Sequence, residues 1–167
     1  MIFRLIAVVL SGVSMMLVSP PIGIYEIHWF NLIPAFWAMR ENDHRRNGWL
    51  MYAMGVALIA SNYNWISESV TTFSNLPAIV AWLCVALYAL VFALPFWILG
   101  WSVHRIRQGV GLAWIWLIPG LQVALEFSWP ALFPYYHGAL FYRAPITWQF
   151  ASILGVTGVS YLIFLST

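Results

Sequence analysis

Lysine is absent from the 167 residues, and all seven basic side chains are arginine. Charge of either sign is scarce: 7% of residues are charged, against roughly a quarter in a typical soluble domain. Such a chain cannot cover a water-facing surface, which excludes an ordinary soluble enzyme or a nucleic-acid-binding module. One cysteine, Cys84, cannot form an internal disulfide and says nothing about redox compartment. It lies in the apolar run "LPAIVAWLCVALYALVFAL" and reads as a small buried hydrophobe. Gly-rich phosphate loops, HExxH and CxxC patterns are all missing. His28, His44, His104 and His137 are scattered rather than spaced as metal ligands, so neither metal nor cofactor is expected.

What the chain does have is 63% hydrophobic residues, 18% of all residues being aromatic. The solvent for most of such a chain is lipid, and a run of about 20 apolar residues crosses the bilayer core as a helix. The pattern predicts an all-α integral membrane protein, a single domain bundling about six transmembrane helices. The spans fall near residues 2–18, 24–39, 48–66, 77–103, 110–127 and 145–165. Pro20 and Pro21 close the first, while Pro34, Pro95 and Pro119 lie inside later ones and favour kinks. The second is interrupted at its start by Glu26, His28 and Asn31. Arg4 before an apolar run resembles a secretory signal, but "MLVSPP" lacks the small residues of a cleavage site, so an uncleaved first span is expected.

The arginines set an orientation. With the N-terminus cytoplasmic, Arg4, Arg40, Arg45, Arg46, Arg105 and Arg107 lie inside and Arg143 alone outside, as the positive-inside rule requires. Glu26, Glu68 and Glu126 then fall at outer helix ends or loops, with His28, His137 and Arg143. Charged groups at helix ends sit among headgroups at little cost. Glu126, between the apolar "LIPGLQVAL" and "FSWPALFP", fits that account less well and is expected to be partnered. Gly155, Gly158 and Ser152 on the sixth span point to close helix packing.

Two stretches break the apolar pattern. "NYNWISESVTTFSNLPA" (62–78) is too polar for hydrocarbon and reads as an outer loop. "FSWPALFPYYHGALFYRA" (127–144) is broken by prolines yet too apolar for water, and reads as a loop at the interface or folded back onto the helices. Tyr135, Tyr136, His137, Tyr142 and Arg143 supply its hydrogen-bonding heads.

These stretches carry a resemblance. "SPPIGIYEIHWFNLIPAF", "NYNWISESVTTFSNLPA", "LIPGLQVALEFSWPALFPYYHGALFYRAP" and "LGVTGVSYLIFL" resemble, in order and spacing, four landmarks of bacterial apolipoprotein N-acyltransferases. The resemblance implies a multi-pass protein of the bacterial inner membrane, part of an enzyme moving an acyl chain from phospholipid to the N-terminal cysteine of a diacylated lipoprotein. Phospholipid and lipoprotein would be its partners, held at the outer leaflet. Trp65, Glu68, Glu126, Tyr136, His137, Tyr142 and Arg143 are the candidate lipid-contacting residues. In two respects the chain departs from the family. The family usually has Leu-Arg-Gly after the glutamate ending the fifth span, whereas this chain reads "EFSWP". Its chemistry also resides in a nitrilase-like domain with a Glu, Lys and Cys triad beyond a seventh span. Without lysine, and with Cys84 in an apolar run, the 167 residues by themselves are expected to bind rather than catalyse, alongside a missing or separate catalytic domain. A small transporter or channel and a free-standing lipid-binding scaffold subunit are the rival readings. Proline-broken helices and Glu126 favour a transporter. The lack of an inverted repeat, and of an acid near the middle of a span, counts against it.

Overall fold

The computed structural model describes residues 2–39 and 43–167. Arg40, assigned above to an inner loop, lies outside the described residues. Eight α-helices and three 3-10 turns make up the described fold. Helix α1 (Ile2–Val18) stops just before the Pro20–Pro21 pair, which takes two backbone donors out of any continuing helix. A 3-10 turn (Tyr25–Trp29) and the six-residue α2 (Ile33–Ala38) follow. The expected second span is therefore absent as a continuous helix. Asn31 and His28 turn inward there and are buried, so the chain bends to bond them to each other instead of running straight through lipid.

Helix α3 (His44–Asn62) is the central post, flanked by α1 and α6 (Leu94–Gly109). Between them lies a core that includes Val8, Met15, Met51, Met54, Leu58 and Leu99, all essentially closed to solvent. The Asp43 carboxylate caps α3, accepting from the backbone N–H groups of Arg45 and Arg46 at 3.0 and 3.1 Å. Asp43→Ala leaves those donors without the cap and is expected to lower stability by about 1 kcal/mol, measured by thermal unfolding in detergent micelles.

The stretch 62–78 is not a loop. Trp65–Ser74 forms helix α4, closed by Asn75 in the left-handed conformation (φ 51°, ψ 28°), and packs against α5 (Ala78–Phe92). Its hydroxyls satisfy themselves locally: Ser67 donates to the Asn64 carbonyl at 2.7 Å and Thr71 to the Ser67 carbonyl at 3.0 Å. Serines and threonines bonded to their own helix leave few polar groups seeking water, so a polar-looking stretch can still be helical. Pro77 then caps α5.

Three described stretches are long and apolar enough to cross a membrane: Ala78–Gly109, Gly111–Ser128 and Pro145–Ser166. This is fewer than the six expected. The first expected span is apolar but only 17 residues long, the second is broken, and the third, 48–66, lies largely in α3, which opens with His44, Arg45 and Arg46 and ends at Asn62. Ala78–Gly109 comprises α5 and α6, which join at Ala93 where Pro95 interrupts the donor ladder. α7 (Trp114–Ser128) carries Pro119 inside it. α8 (Pro145–Ser166) bends at Gly155 (φ 72°, ψ 170°), backbone that is essentially restricted to glycine. The outward faces are apolar: Ile79, Leu87 and Ile153 are 72, 62 and 81% exposed, surfaces water penalises and hydrocarbon does not.

Between α7 and α8 the chain folds back. Residues 129–136 are irregular, and the 3-10 turn His137–Arg143 presses onto α8, burying His137, Gly138, Leu140 and Phe141. That return is what creates the site.

Candidate binding site

Glu126, near the C-terminal end of α7, points inward rather than toward headgroups; its side chain is 4% exposed. Gln122, one turn earlier, donates from Nε2 to Glu126 Oε1 at 3.3 Å. The returning turn brings His137 Nε2 to 3.8 Å from the same oxygen, and His137 is fully buried. Its other nitrogen, Nδ1, lies 3.0 Å from His28 Nε2, and His28 Nδ1 lies 3.0 Å from Asn31 Oδ1. Asn31 in turn donates from Nδ2 to the Met15 sulfur. The result is a buried chain of polar groups joining four segments distant in sequence.

The Asn31 amide assigns the protons along this chain. Its oxygen can only accept, so His28 donates from Nδ1 and accepts at Nε2. His137 must then donate from Nδ1, which leaves its Nε2 as a lone pair facing Glu126. Both histidines lie outside the three long apolar helices, and burial holds both imidazoles neutral. Desolvation lowers the His28 pKa to about 4, and lowers that of His137 well below the ordinary value, with the facing His28 adding to the effect.

The polar end of this chain opens into a cavity of about 60 Å3, room for a few water-sized groups. Gln122, Glu126, Tyr135 and His137 supply its polar side; Leu58, Tyr63, Phe96 and Trp129 are among its apolar walls. Among the described residues Gln122 Oε1 and His137 Nε2 find no hydrogen-bond partner, whereas the Glu126 carboxyl also faces the Ser160 hydroxyl and the His137 backbone N–H, and the Tyr135 hydroxyl faces Ser19. Phe133 roofs the cavity, its carbonyl accepting from the Tyr63 hydroxyl at 3.2 Å and the Tyr88 hydroxyl at 3.5 Å. Beyond that roof lies an apolar groove of about 420 Å3 lined by Ile66, Cys84, Leu87, Val91 and Leu132. Tyr88, Phe92 and Phe133 line both spaces. A polar pocket and a greasy trough thus share one wall.

Residues 11–167 match the apolipoprotein N-acyltransferase N-terminal domain. The chain belongs to that family. Apolipoprotein N-acyltransferase 2 of Leptospira interrogans is 27% identical over 165 residues, covering 98% of this chain and 28% of its own length. The apolipoprotein N-acyltransferases of Geobacter metallireducens and Chromobacterium violaceum are 32 and 29% identical, covering 95 and 97% of this chain and 31 and 32% of theirs. The chain therefore spans about a third or less of the curated relatives it matches.

Of the residues singled out in the sequence for this family's lipid contacts, the structure brings Glu126 and His137 together. Trp65 lies outside the lining of the cavity and the groove, its ring 5.0 Å from that of Phe133. Glu68 is exposed on α4, away from the cavity lining. Tyr136 is half-buried and outside the lining. Arg143 lies over the Tyr142 ring at 5.4 Å and against Gly23, also apart from the cavity. Gln122, Tyr63 and Tyr88 were not among the candidates but line the cavity, together with Tyr135, one of the hydrogen-bonding heads of the 127–144 stretch; His28 and Asn31, not named as site residues, stand behind it. Gln122 was legible in retrospect. It precedes Glu126 by one helical turn within "LQVALE", the spacing that puts two side chains on one face.

Proposed function

We propose that this domain is the lipid-holding membrane part of an apolipoprotein N-acyltransferase-like protein, seating a phospholipid acyl donor and a lipoprotein acceptor. On this reading it is a multi-pass protein of the bacterial inner membrane, with the N-terminus and most arginines cytoplasmic. The cavity end faces the outer leaflet, and acyl transfer itself belongs to a catalytic domain elsewhere. The names of the relatives support the substrate class. One observation carries the local role: an apolar groove shares Tyr88, Phe92 and Phe133 with a polar cavity, so a chain and its headgroup can be seated together. Such pairing of an apolar trough with a few convergent polar groups characterises ligand sites.

Cys84 provides a direct test, being the chain's sole cysteine and half-buried on the groove wall. In maltoside micelles, added phospholipid is expected to slow alkylation of Cys84 by N-ethylmaleimide at least threefold. A cysteine placed at the exposed Ile153, in a Cys84→Ser background, should keep its rate. Equal slowing at both positions, or none at Cys84, would sink the proposal that the groove holds a lipid chain.

A further inference from the structure

We infer that the end of the bundle away from the cavity seats the headgroup of an anionic phospholipid between α3 and α6, on tryptophan rings and against two arginines. This goes beyond the groove reading: the lipid here is held at a second place, in the leaflet at that end. Two stripes build the seat. On α6, Trp97, Trp101 and Arg105 recur about once per turn, and on α3 Arg45, Trp49 and Tyr52 do the same. The two helices run antiparallel: His44 meets Trp101, its ring at 6.1 Å, while Gly55 packs against Phe96. Both arginines therefore stand at one end with the rings beneath them. Trp49 joins the stripes, lying 6.4 Å from Trp97 and 5.6 Å from Tyr52, and Trp97 stacks on Trp101 at 6.1 Å. About 20 Å of helical rise separates Arg45 from Leu58 of the cavity lining.

The chemistry of this seat is one-sided. Arg105 Cζ lies 3.7 Å over the Trp101 ring, and stacking uses the flat face of a guanidinium while leaving its N–H edge to fork a phosphate. Arg45 and Arg105 are exposed, and among the described residues neither guanidinium has a carboxylate partner. Asp43, the one carboxylate described at this end, already accepts from the backbone N–H groups of Arg45 and Arg46. Beside them Trp49 is 63% exposed, and tryptophan settles at the headgroup level, its ring against apolar chain and its N–H toward polar oxygens. A soluble acidic peptide would cover the arginines but leave those rings in water. An anionic phospholipid covers both, its phosphate on the arginines and its glycerol on the rings. A zwitterionic headgroup brings a cation back to the arginines and weakens the attraction.

The test is native mass spectrometry of the whole chain released from maltoside micelles holding equal amounts of dioleoyl phosphatidylglycerol and dioleoyl phosphatidylcholine. Phosphatidylglycerol is expected to be retained over phosphatidylcholine by about tenfold, and Arg105→Gln to cut that preference about fivefold. Arg107→Gln removes a charge from the same end but on the α7 side, where Arg107 lies over the Trp114 ring at 4.6 Å; it should leave the preference within about twofold of wild type. Trp101→Leu keeps every charge and should still cut the preference about twofold, by taking away the ring that seats Arg105. Equal losses from Arg105→Gln and Arg107→Gln would mean a diffuse positive end with no seat, and overturn the inference. Equal retention of the two lipids by wild type overturns it as well, a result that needs no variant to fold. Displacement of the lipid by excess inorganic phosphate would reassign the seat to a free anion and overturn the lipid assignment. Slowing of Cys84 alkylation by phosphatidylcholine reports the groove and not this seat, so the two readings fail separately.

Discussion

Replacing Gly138 with valine is expected to destabilise the protein by about 3 kcal/mol and to abolish the cavity. Gly138 is where the returning turn meets α8. Any Cβ there would overlap the Val156 carbonyl and the Ser160 amide nitrogen, with the Val159 side chain at 3.0 Å. Two of those three neighbours are helix backbone and cannot swing aside. Its own N–H donates to Ser160 Oγ at 2.8 Å, a bond that breaks when the turn lifts. Overpacking costs about 1–3 kcal/mol and a lost hydrogen bond about 0.5–1.5 kcal/mol. Because His137 is the adjacent residue, its imidazole leaves Glu126 along with the turn. Unfolding by graded addition of dodecyl sulfate to mixed micelles measures the stability. Ser160→Ala separates the overpacking from the hydrogen bonding, since it removes the acceptor of the Gly138 N–H together with the hydroxyl facing Glu126, without crowding the turn, and should cost about 1 kcal/mol. Wild-type stability in Gly138→Val would show that the turn does not dock on α8 as described.

The second large effect concerns His28. His28→Leu keeps an apolar side chain of similar bulk but leaves the Nδ1–H of His137 facing hydrocarbon, a loss of about 1–3 kcal/mol. It also changes the response to acid. The folded protein holds His28 at a pKa of about 4, through burial, whereas an unfolded histidine titrates near 6.5. Between those values the unfolded state binds the extra proton, so stability is greatest above about pH 6.5 and falls as pH drops toward 4. From pH 7 to pH 5 the linkage for His28 alone amounts to about 2 kcal/mol. His137, depressed in the same direction, adds to it. The polar groups facing this pair are Asn31, which is neutral, Glu126 across from His137 Nε2, and Tyr135, whose ring packs edge-on against His137 at 5.2 Å. Wild type is expected to lose stability on acidification, and His28→Leu to lose distinctly less. Identical pH profiles would mean that His28 is not held neutral in the folded state.

The sequence and the structure agree best where the chemistry is strongest. Composition alone led to an all-helical, apolar fold, and the four landmark stretches led to the family. The apolar runs at 77–103, 110–127 and 145–165 each fall in a long helical stretch, because apolar residues dominate them and their few polar side chains, Gln122, Glu126 and Ser160 among them, do not interrupt the helix. The second span failed for a reason the sequence displayed but did not rank. Glu26, His28 and Asn31 interrupt it, and two of the three fold inward to meet partners more than a hundred, or at least a dozen, residues away. No local pattern announces that His28 will find His137. The pair is created by the return of residues 129–143, whose prolines and aromatics signal only that the chain is irregular there. Glu126 was flagged because its flanks are too apolar for an unpartnered acid, and that physical argument needed no knowledge of the partner. Glu68 drew attention for its charge alone, and it lies exposed on α4.

The joint at Ala93 has a mechanical meaning. At about 1.5 Å per residue, the 32 residues of Ala78–Gly109 sum to about 48 Å of helical rise across the two helices, more than the roughly 30 Å of a bilayer core. α6 packs along much of α3, whereas α5 is held to α3 less extensively, in part by the Tyr52 hydroxyl donating to the Leu90 carbonyl, and carries α4 on an arm whose outer face includes Phe73, Ile79 and Trp82, each more than half exposed. Cys84 and Leu87 ride on that arm, while Leu132 and Phe133 belong to the fixed return. Cys84 sits nine residues, about 13 Å, beyond the joint, so a swing of about 5° there shifts it by roughly 1 Å. The groove is thus the gap between α5 and the returning segment, and its width follows the angle at the Ala93 joint.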